Sequence, residues 1–379
     1  MATYTSLTKR PRIVMNDKTN FLNLNGEGGE IVCFIGKTPN TVADTDLKIK
    51  GYTTYSKVKE GIGSGVEATD NTNNLLKVVG EFFNETQPVN EGDLGVKTVY
   101  IIDLGKEPTT TTFTKALTLS EKIKDVTLLA FTDEFTADLE AQAISHITSL
   151  RSKGQPRIAY FPAKEGATDE ELIKLTSEKT VQNDNVVIVE NVHYGAVIGK
   201  IAVTPYYVEP GRDDFRSLND GDFPVRSFDE ASALQNAGIL ICESVPYRVR
   251  EDGTPVQCFV TGVSTGFAAE EKTTACLLHA LRNNNHQVRE IMKILGTQLK
   301  ENETVDALTK FRLAVNTYLE SEVKSNHIQN NYSFNVYETD ADPYNLVIDI
   351  NIAGINATYL IVYNNSIVEP EAVVSSNNE

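Results

Sequence analysis

Residues 126–161 decide the fold: VTLLAFTDEFTADLEAQAISHITSLRSKGQPRIAYF. A short β-rich run at 126–131 is followed by a helix-length segment and by a second β-rich run at 157–161. The same alternation continues on both sides of this stretch. Parallel strands need crossover connections, so serial βα order predicts a parallel sheet with helices on its faces. The neighbouring segments are TVYIIDL (98–104), KALTLSEKI (115–123), TDEELIKLTSEK (168–179) and NVVIVEN (185–191).

Local signals mark where these helices start and stop. Thr168 with Glu171 three residues later forms a capping box, and Gly154 followed by Pro156 is a stop signal. The apolar series then continues to Gly262 in three further runs. These are YGAVIGKIAV (194–203), AGILICES (237–244) and VQCFVTG (256–262).

The segment before residue 98 is less regular. Residues 1–22 show no helical periodicity and are predicted to be an extended arm. IVCFIG at 31–36 is predicted to be the first core strand. Residues 37–97 are rich in Thr, Asn and Gly, and we expect loops and a small peripheral element there.

The character of the chain changes after Gly266. Apolar residues recur at three- and four-residue steps between about 302 and 324, which predicts an amphipathic helix. YSFNVYE, NLVIDINIA and ATYLIVYN follow in close order and predict an antiparallel meander. The fold class is therefore mixed α/β. The predicted division is an N-terminal arm (1–22), a first strand with a loop-rich region (23–97), a central α/β domain (98–266), a helical domain (267–345) and C-terminal strands with an arm (346–379).

Composition limits the classes of function. The chain has 379 residues, a formal net charge of -17 and no stripe of Lys or Arg, so we expect no nucleic-acid partner. The basic N-terminus has no apolar stretch after it, so we expect no signal peptide and no membrane insertion. The four cysteines (Cys33, Cys242, Cys258 and Cys276) form no CxxC pair and are expected to be buried thiols.

One motif suggests catalysis. GVSTG at 262–266 fits the G-x-S-x-G elbow of serine hydrolases, with Ser264 as nucleophile. Chain order would allow Asp306 and His327 as its partners. Hydrolase folds continue with further βα units after the elbow, whereas this chain proceeds to helices and a meander. The favoured interpretation is a tight turn, and we expect no catalytic residue.

Other motifs are weaker. GKT at 36–38 has Ile31 where a phosphate loop needs glycine, and GIGSG at 61–65 lacks the flanking strand and helix of a dinucleotide site. His146 and His193 have no metal-ligand spacing, and the acidic run at 214–222 lacks the glutamate that ends a calcium loop. We therefore expect neither cofactor nor metal.

Six segments carry a resemblance to a known family. VTLLAFTDEF with RIAYFPA, YGAVIGKIAVTP, FDEASALQNAGILIC with VQCFVTGVSTG, and VDALTKFRLAVNTYLESEVKSNHIQN follow one another in a familiar order. This order resembles that of the contractile tail sheath family of phages and related injection systems. The resemblance covers about two thirds of the chain, from Asp125 onward, and rests on element order.

The resemblance implies a structural subunit, not an enzyme, that polymerises as a helical stack of rings around a tail tube and contracts. Its implied partners are further copies of itself, the tail tube protein, and baseplate and tail terminator proteins. Its implied location is the virion tail or a contractile particle, after synthesis in the host cytoplasm. Two other functions stay open: a serine hydrolase that uses Ser264, and a different self-assembling shell or filament protein.

In sheath proteins both terminal arms add strands to the sheets of neighbouring subunits. An arm of about 20 residues reaches on the order of 65 Å, far enough to cross into a neighbour. In NLVIDINIA the isoleucines alternate with Asp349 and Asn351, as in a strand with one buried face. The alternative is a sheet completed within one subunit. The predicted strand-exchange residues are Arg12, Ile13, Val14, Ile348, Ile350, Ile352, Leu360 and Val362.

Overall fold

The computed structural model of the chain describes most of the residues between 30 and 351. The described ranges are 30–63, 74–87, 96, 98–177, 181–219, 222–260, 262–269, 276–298, 305–339 and 342–351.

A seven-stranded sheet forms the centre of the molecule. Its spatial order is β2-β3-β1-β4-β5-β6-β7, and every neighbouring pair is parallel except β2 with β3. The predicted parallel sheet is thus confirmed, with an antiparallel strand at one edge. The strands are β1 (Val32–Gly36), β2 (Ile49–Tyr52), β3 (Val99–Asp103), β4 (Leu128–Phe131), β5 (Ile158–Pro162), β6 (Val186–Val189) and β7 (Ile239–Leu240).

Helices cover both faces of this sheet. Side chains alternate along each strand, so Val32 and Phe34 face one layer while Cys33 and Ile35 face the other. The first layer holds α2 and α6, and the second holds α3, α4, α5 and α7. The helices of this part are α1 (Tyr55–Ile62), α2 (Asn74–Thr86), α3 (Thr110–Ser120), α4 (Ala137–Ser152), α5 (Asp169–Leu175), α6 (Tyr194–Val203) and α7 (Phe228–Asn236).

The local helix signals have the predicted roles. Thr168 and Glu171 form a reciprocal capping box at the start of α5. Gly154 has a φ of 71° just after α4, a left-handed conformation that favours glycine. All four cysteines are buried, as expected, and burial raises the pKa of the Cys33 thiol to about 12.

The expectation for region 37–97 was wrong in one respect. We expected loops and a small peripheral element, but the structure places β2, α1 and α2 there. α2 is part of the core, with Leu75, Val79 and Phe82 fully buried beneath the sheet. Its sequence, LLKVVGEFF, has the 3.6-residue spacing of a buried helix face, which the surrounding Thr- and Asn-rich segments obscured.

α6 lies against α2 at unusually short range. All ten residues of α6 are buried. Gly195 and Gly199 are one helical turn apart and face α2, and the Gly195 amide donates to Glu81 Oε2 at 3.0 Å. A Cβ on Gly195 would lie 2.0 Å from the carbonyl oxygen of Val78. Only glycine therefore allows this approach. The sequence resemblance predicted a small-residue helix here, and that is confirmed.

The remaining elements follow the sheet. β8 (Cys242–Val249) and β9 (Pro255–Phe259) form an antiparallel hairpin. Helices α8 (Leu278–Gln298) and α9 (Val305–Lys324) come next, and β10 (Ser333–Thr339) pairs antiparallel with β11 (Asp342–Asn351). This confirms the predicted helix and the first two strands of the meander. ATYLIVYN lies outside the described residues.

The domain boundaries stay a prediction, although the sheet takes β1 and β2 from the segment before residue 98. Within the described parts of the chain, no helix is both long and apolar enough to cross a lipid bilayer.

A buried glutamate gives the fold a predicted pH dependence. Glu140 of α4 is 2% exposed, and burial raises its pKa from 4.5 to about 8. Between these values the unfolded chain ionises first, so stability falls as pH rises. We expect Glu140→Gln to remove this slope, with a relative gain on the order of 2–3 kcal/mol near pH 7.

The measurement is the melting temperature of both proteins at several values between about pH 5 and pH 8. The exposed Glu134→Gln variant in the preceding loop is the matched control for the loss of one carboxylate. Parallel curves for the parent chain and Glu140→Gln would contradict the expectation.

Candidate assembly site

The β10–β11 hairpin carries the only two predicted strand-exchange residues that the structure describes. Ile348 lies opposite Val336 and Ile350 opposite Phe334, so β11 pairs with its own chain on one side. Among the described residues the hairpin has only these two strands. The outer edge of each strand is therefore not paired in a ladder with any described strand. The other predicted residues, Arg12, Ile13, Val14, Ile352, Leu360 and Val362, lie outside the described residues.

Apolar packing fixes the base of this hairpin to the two long helices. Tyr332 and Phe334 pack on a small core between α8 and α9, with the rings of Phe334 and Phe311 5.9 Å apart. This core is separate from those of the sheet. Its buried members are Ile291, Phe311, Val315, Leu319 and Ile328.

Buried hydrogen bonds hold α8 against α9. Asn283 Nδ2 donates to the carbonyl oxygen of His327 at 2.6 Å, where the chain leaves α9 for the hairpin. Gln287 donates to Glu322 Oε2 at 2.7 Å and accepts from the Tyr318 hydroxyl at 2.6 Å. Because these groups are buried and paired, they specify one arrangement of the two helices.

Aromatic rings connect this helical pair to the loop after α6. Tyr206 stacks on His286 with ring centroids 3.6 Å apart and donates its hydroxyl to Glu322 at 3.0 Å. Burial lowers the pKa of His286 to about 3, so this ring is neutral. Burial acts to raise the pKa of Glu322, but the hydrogen bond with His327 outweighs it and the pKa lies below its ordinary value. Glu322 is therefore an ionised acceptor at neutral pH.

Two arginines of α8 join the helical pair to the sheet. Arg282 Nε bonds Glu30 Oε1 at 2.5 Å, and its Nη2 reaches the carbonyl oxygens of Ile201 and Thr204 at the end of α6. Arg289 donates to the carbonyl oxygens of Pro156 and Val126, which precede β5 and β4. Charge-assisted bonds of this kind are about twice as strong as neutral ones.

Glu30 is also where the described body begins. Its backbone amide donates to the carbonyl oxygen of Ala202 at 2.8 Å, so the first described residue is tied to both α6 and α8. Glu30 therefore lies beside the helical pair. Glu30 and the base of the hairpin both contact α8.

The hydrolase hypothesis finds no support at Ser264. This residue is fully buried, and its hydroxyl has no hydrogen-bond partner among the described residues. A 3-10 turn (Thr265–Ala268) follows it, and His327 Nδ1 is engaged with Glu322 and Tyr206. A nucleophile elbow needs an exposed hydroxyl next to a base. GVSTG is a buried turn, as the favoured interpretation stated.

Residues of two other weak motifs, GKT at 36–38 and the acidic run at 214–222, form hydrogen bonds or ion pairs within the chain. At the carboxyl edge of the sheet, Thr38 of GKT donates to Asp103 Oδ1 at 2.6 Å, and Asn40 donates to the other oxygen of that carboxylate. Asp214 of the acidic run binds Arg250 at 2.5 Å. Across the described ranges, no group of three or more His, Cys, Asp or Glu side chains could hold a metal ion.

Sequence reasoning missed the arginines and the polar residues of α8. The signal was present, since Arg282, Asn285, Arg289 and Met292 recur at steps of three and four on one face. Charged residues at that spacing usually indicate a solvated helix face. Their burial depends on the fold bringing strand ends against this helix.

Comparisons with known proteins bear on the fold. No protein-family model matches the sequence, and no curated protein is a significant match. A chain from the baseplate of the anti-feeding prophage (AFP) superposes with a TM-score of 0.68 at 12% identity, over 90% of this chain and 94% of that one.

Two further solved structures have a similar fold. The helical sheath of AFP in its contracted state gives a TM-score of 0.65 at 11% identity, over 89% and 93% of the two chains. The sheath tail protein of Desulfitobacterium hafniense gives 0.54 at 10% identity, over 86% and 97%. The resemblance inferred from element order is thus confirmed at the level of the fold: the chain has the fold of contractile tail sheath structures.

Proposed function

We propose that this chain is the sheath subunit of a contractile tail or a related injection particle, with a structural and not a catalytic role. The observation that supports this most is the match to a contracted helical sheath along nearly the whole of both chains. The family resemblance of the sequence from Asp125 onward points in the same direction.

The proposed mechanism of assembly is the addition of an extended segment to the unpaired edge of a strand. A two-stranded hairpin is marginal by itself, and unpaired edges are templates for another extended segment. Main-chain hydrogen bonds would supply affinity, and side-chain alternation would set the register. We propose that residues around Arg12–Val14 and the part of 346–362 that follows β11 complete such sheets in neighbouring copies, and that Ile348 and Ile350 take part through the outer edge of β11. The hairpin is a suitable recipient because its base is fixed to α8 and α9.

The subunits would form a helical stack of rings around a tail tube, held between a baseplate and a tail terminator. In the extended lattice they would be trapped, and they would rotate outward into a more tightly bonded lattice. This change would drive the tube through a cell envelope. The protein would be made in the host cytoplasm and act in the tail particle.

Negative-stain electron microscopy tests the proposal. We expect the purified chain to form hollow tubes, and native particles to show a sheath around an inner tube in a long and a short form. Another shell or filament protein would give closed shells or solid fibres. A polymer of either kind, or a chain that stays monomeric under all assembly conditions, would contradict the proposal.

A further inference from the structure

A groove lies at the amino edge of the sheet, on the opposite side from the carboxyl edge where open α/β sheets usually bind small ligands. Its volume is about 630 Å³. The floor comes from the segments that lead into β1, β4 and β5, at Ile31, Thr127 and Ile158. One wall is the face of α8 that carries Arg282, and Tyr206 closes one part of the rim.

This groove has an excess of positive charge in a chain whose net charge is -17. Five of its lining residues are lysine or arginine and three are carboxylates. Two of those carboxylates are already paired, Glu30 with Arg282 and Glu290 with Lys293. An acidic segment repelled by the rest of the surface would be attracted here. The basic residues are Lys124, Lys153, Arg282, Arg289 and Lys293.

Two side chains that line the groove carry buried polar atoms with no hydrogen-bond partner among the described residues. Arg282 is 2% exposed, yet its Nη1 has no hydrogen-bond partner among the described residues. Asn285, one turn along α8 and 6% exposed, has neither its Oδ1 nor its Nδ2 paired in the described structure. Buried groups of this kind are normally satisfied, and together they offer donors and an acceptor to a bound chain.

The C-terminal segment has the complementary chemistry. No lysine or arginine follows Lys324 in the sequence. Residues 366–379 read SIVEPEAVVSSNNE, with Glu369 and Glu371 on either side of Pro370. Proline favours an extended conformation at the residue before it, and in an extended chain residues two apart point the same way. An extended Glu369-Pro370-Glu371 stretch would present its two carboxylates on the same side.

The base of the β10–β11 hairpin lies close to the groove, because both contact α8. Ile291 of α8 packs on the hairpin base, while Arg289 and Met292 of the same helix line the groove. The two surfaces are separated by one helix, a distance of about 10 Å. A strand that is added to the hairpin of a neighbouring copy and runs toward the hairpin base would therefore end close to that copy's groove.

We propose that the groove at the amino edge of the sheet binds the acidic segment 366–379 of a second copy of this chain, with Glu369 and Glu371 against its lysines and arginines. This inference rests on the proposed exchange of C-terminal strands. It adds a second, electrostatic contact between the same two copies.

Zero-length cross-linking with a carbodiimide tests it, because this reagent joins only carboxylates and amines in direct contact. Equal amounts of the full chain, unlabelled and ¹⁵N-labelled, are mixed before assembly, cross-linked and cut with chymotrypsin, which releases the segment after Tyr363. We expect Glu369 or Glu371 joined to Lys124 or Lys153 in peptides of mixed isotope. The pairs Lys37–Asp133 at 2.8 Å and Lys115–Asp44 at 3.3 Å are internal standards.

Charge reversal supplies the control. The Lys124→Glu/Lys153→Glu variant should retain the internal standards and lose the acidic segment's cross-links throughout the groove, including those to Lys293. The matched variant Lys106→Glu/Lys164→Glu, at exposed positions outside the groove, should keep them.

Cross-links within one isotope only would overturn the second-copy assignment, and standards without any groove cross-link would overturn the groove. Tubes that form without this cross-link would leave the proposed function standing while the inference fails. A chain that forms neither tubes nor mixed-isotope cross-links would contradict both.

Discussion

Deletion of residues 1–20 is expected to give a folded protein that forms no tubes. The fold should survive because the described body begins at Glu30, whose amide is bonded to Ala202, and the first strand begins at Val32. Assembly should be lost because the deletion removes Arg12, Ile13 and Val14 and with them the proposed donor strand. Circular dichroism and melting temperature would report the fold, and negative-stain microscopy the polymer.

Two point variants at Ile13 test whether assembly depends on a backbone hydrogen bond or on the side chain. Ile13→Pro removes one backbone donor, which strand addition needs, whereas Ile13→Val keeps both the donor and the β-branched shape. We expect fewer and shorter tubes from Ile13→Pro and normal tubes from Ile13→Val. Normal tubes from the deletion variant would count decisively against exchange through the N-terminal arm.

Gly195→Ala is expected to destabilise the described body strongly. The new Cβ would meet the Val78 carbonyl oxygen at 2.0 Å and the Glu81 Cβ at 2.8 Å. The obstacle is the backbone of α2, so no side-chain rotation can relieve it. We expect a loss of about 3 kcal/mol or more in unfolding free energy.

Gly80→Ala in α2 is the matched control. Its Cβ would approach only the ring end of Tyr55, at 3.0 Å, which a flexible side chain can accommodate. Alanine also gains up to about 1 kcal/mol of helix propensity over glycine, so the net change should be small. Urea unfolding of both variants is the measurement. Equal midpoints would show that α6 and α2 can separate without cost.

The βα order from residue 98 to residue 189 was predictable because each element there has its own periodicity and its own caps. Thr168 and Glu171, for example, identify the start of α5 without any tertiary information. The helix Val305–Lys324 was predictable for the same reason. Such signals are local, and they agree with the final packing.

The central position of β1 and α2 was not predictable in the same way. β1 inserts between β3 and β4, which is a property of the topology and not of any local pattern. The junction made by Arg282 and Arg289 depends on the end of α6, 78 and 81 residues away in sequence, and on strand starts 133 and 163 residues away. The proposed exchange residues remain predictions, since pairing between copies leaves no signal within a single chain.

The two arginines of α8 have a mechanical consequence. A force on the hairpin base would be transmitted through α8 to carbonyl groups at the end of α6 and before β4 and β5, and several charge-assisted hydrogen bonds would share it. Bonds loaded in parallel divide the force, so no single bond carries all of it. The sheet and its helices would therefore move with the hairpin as one rigid body.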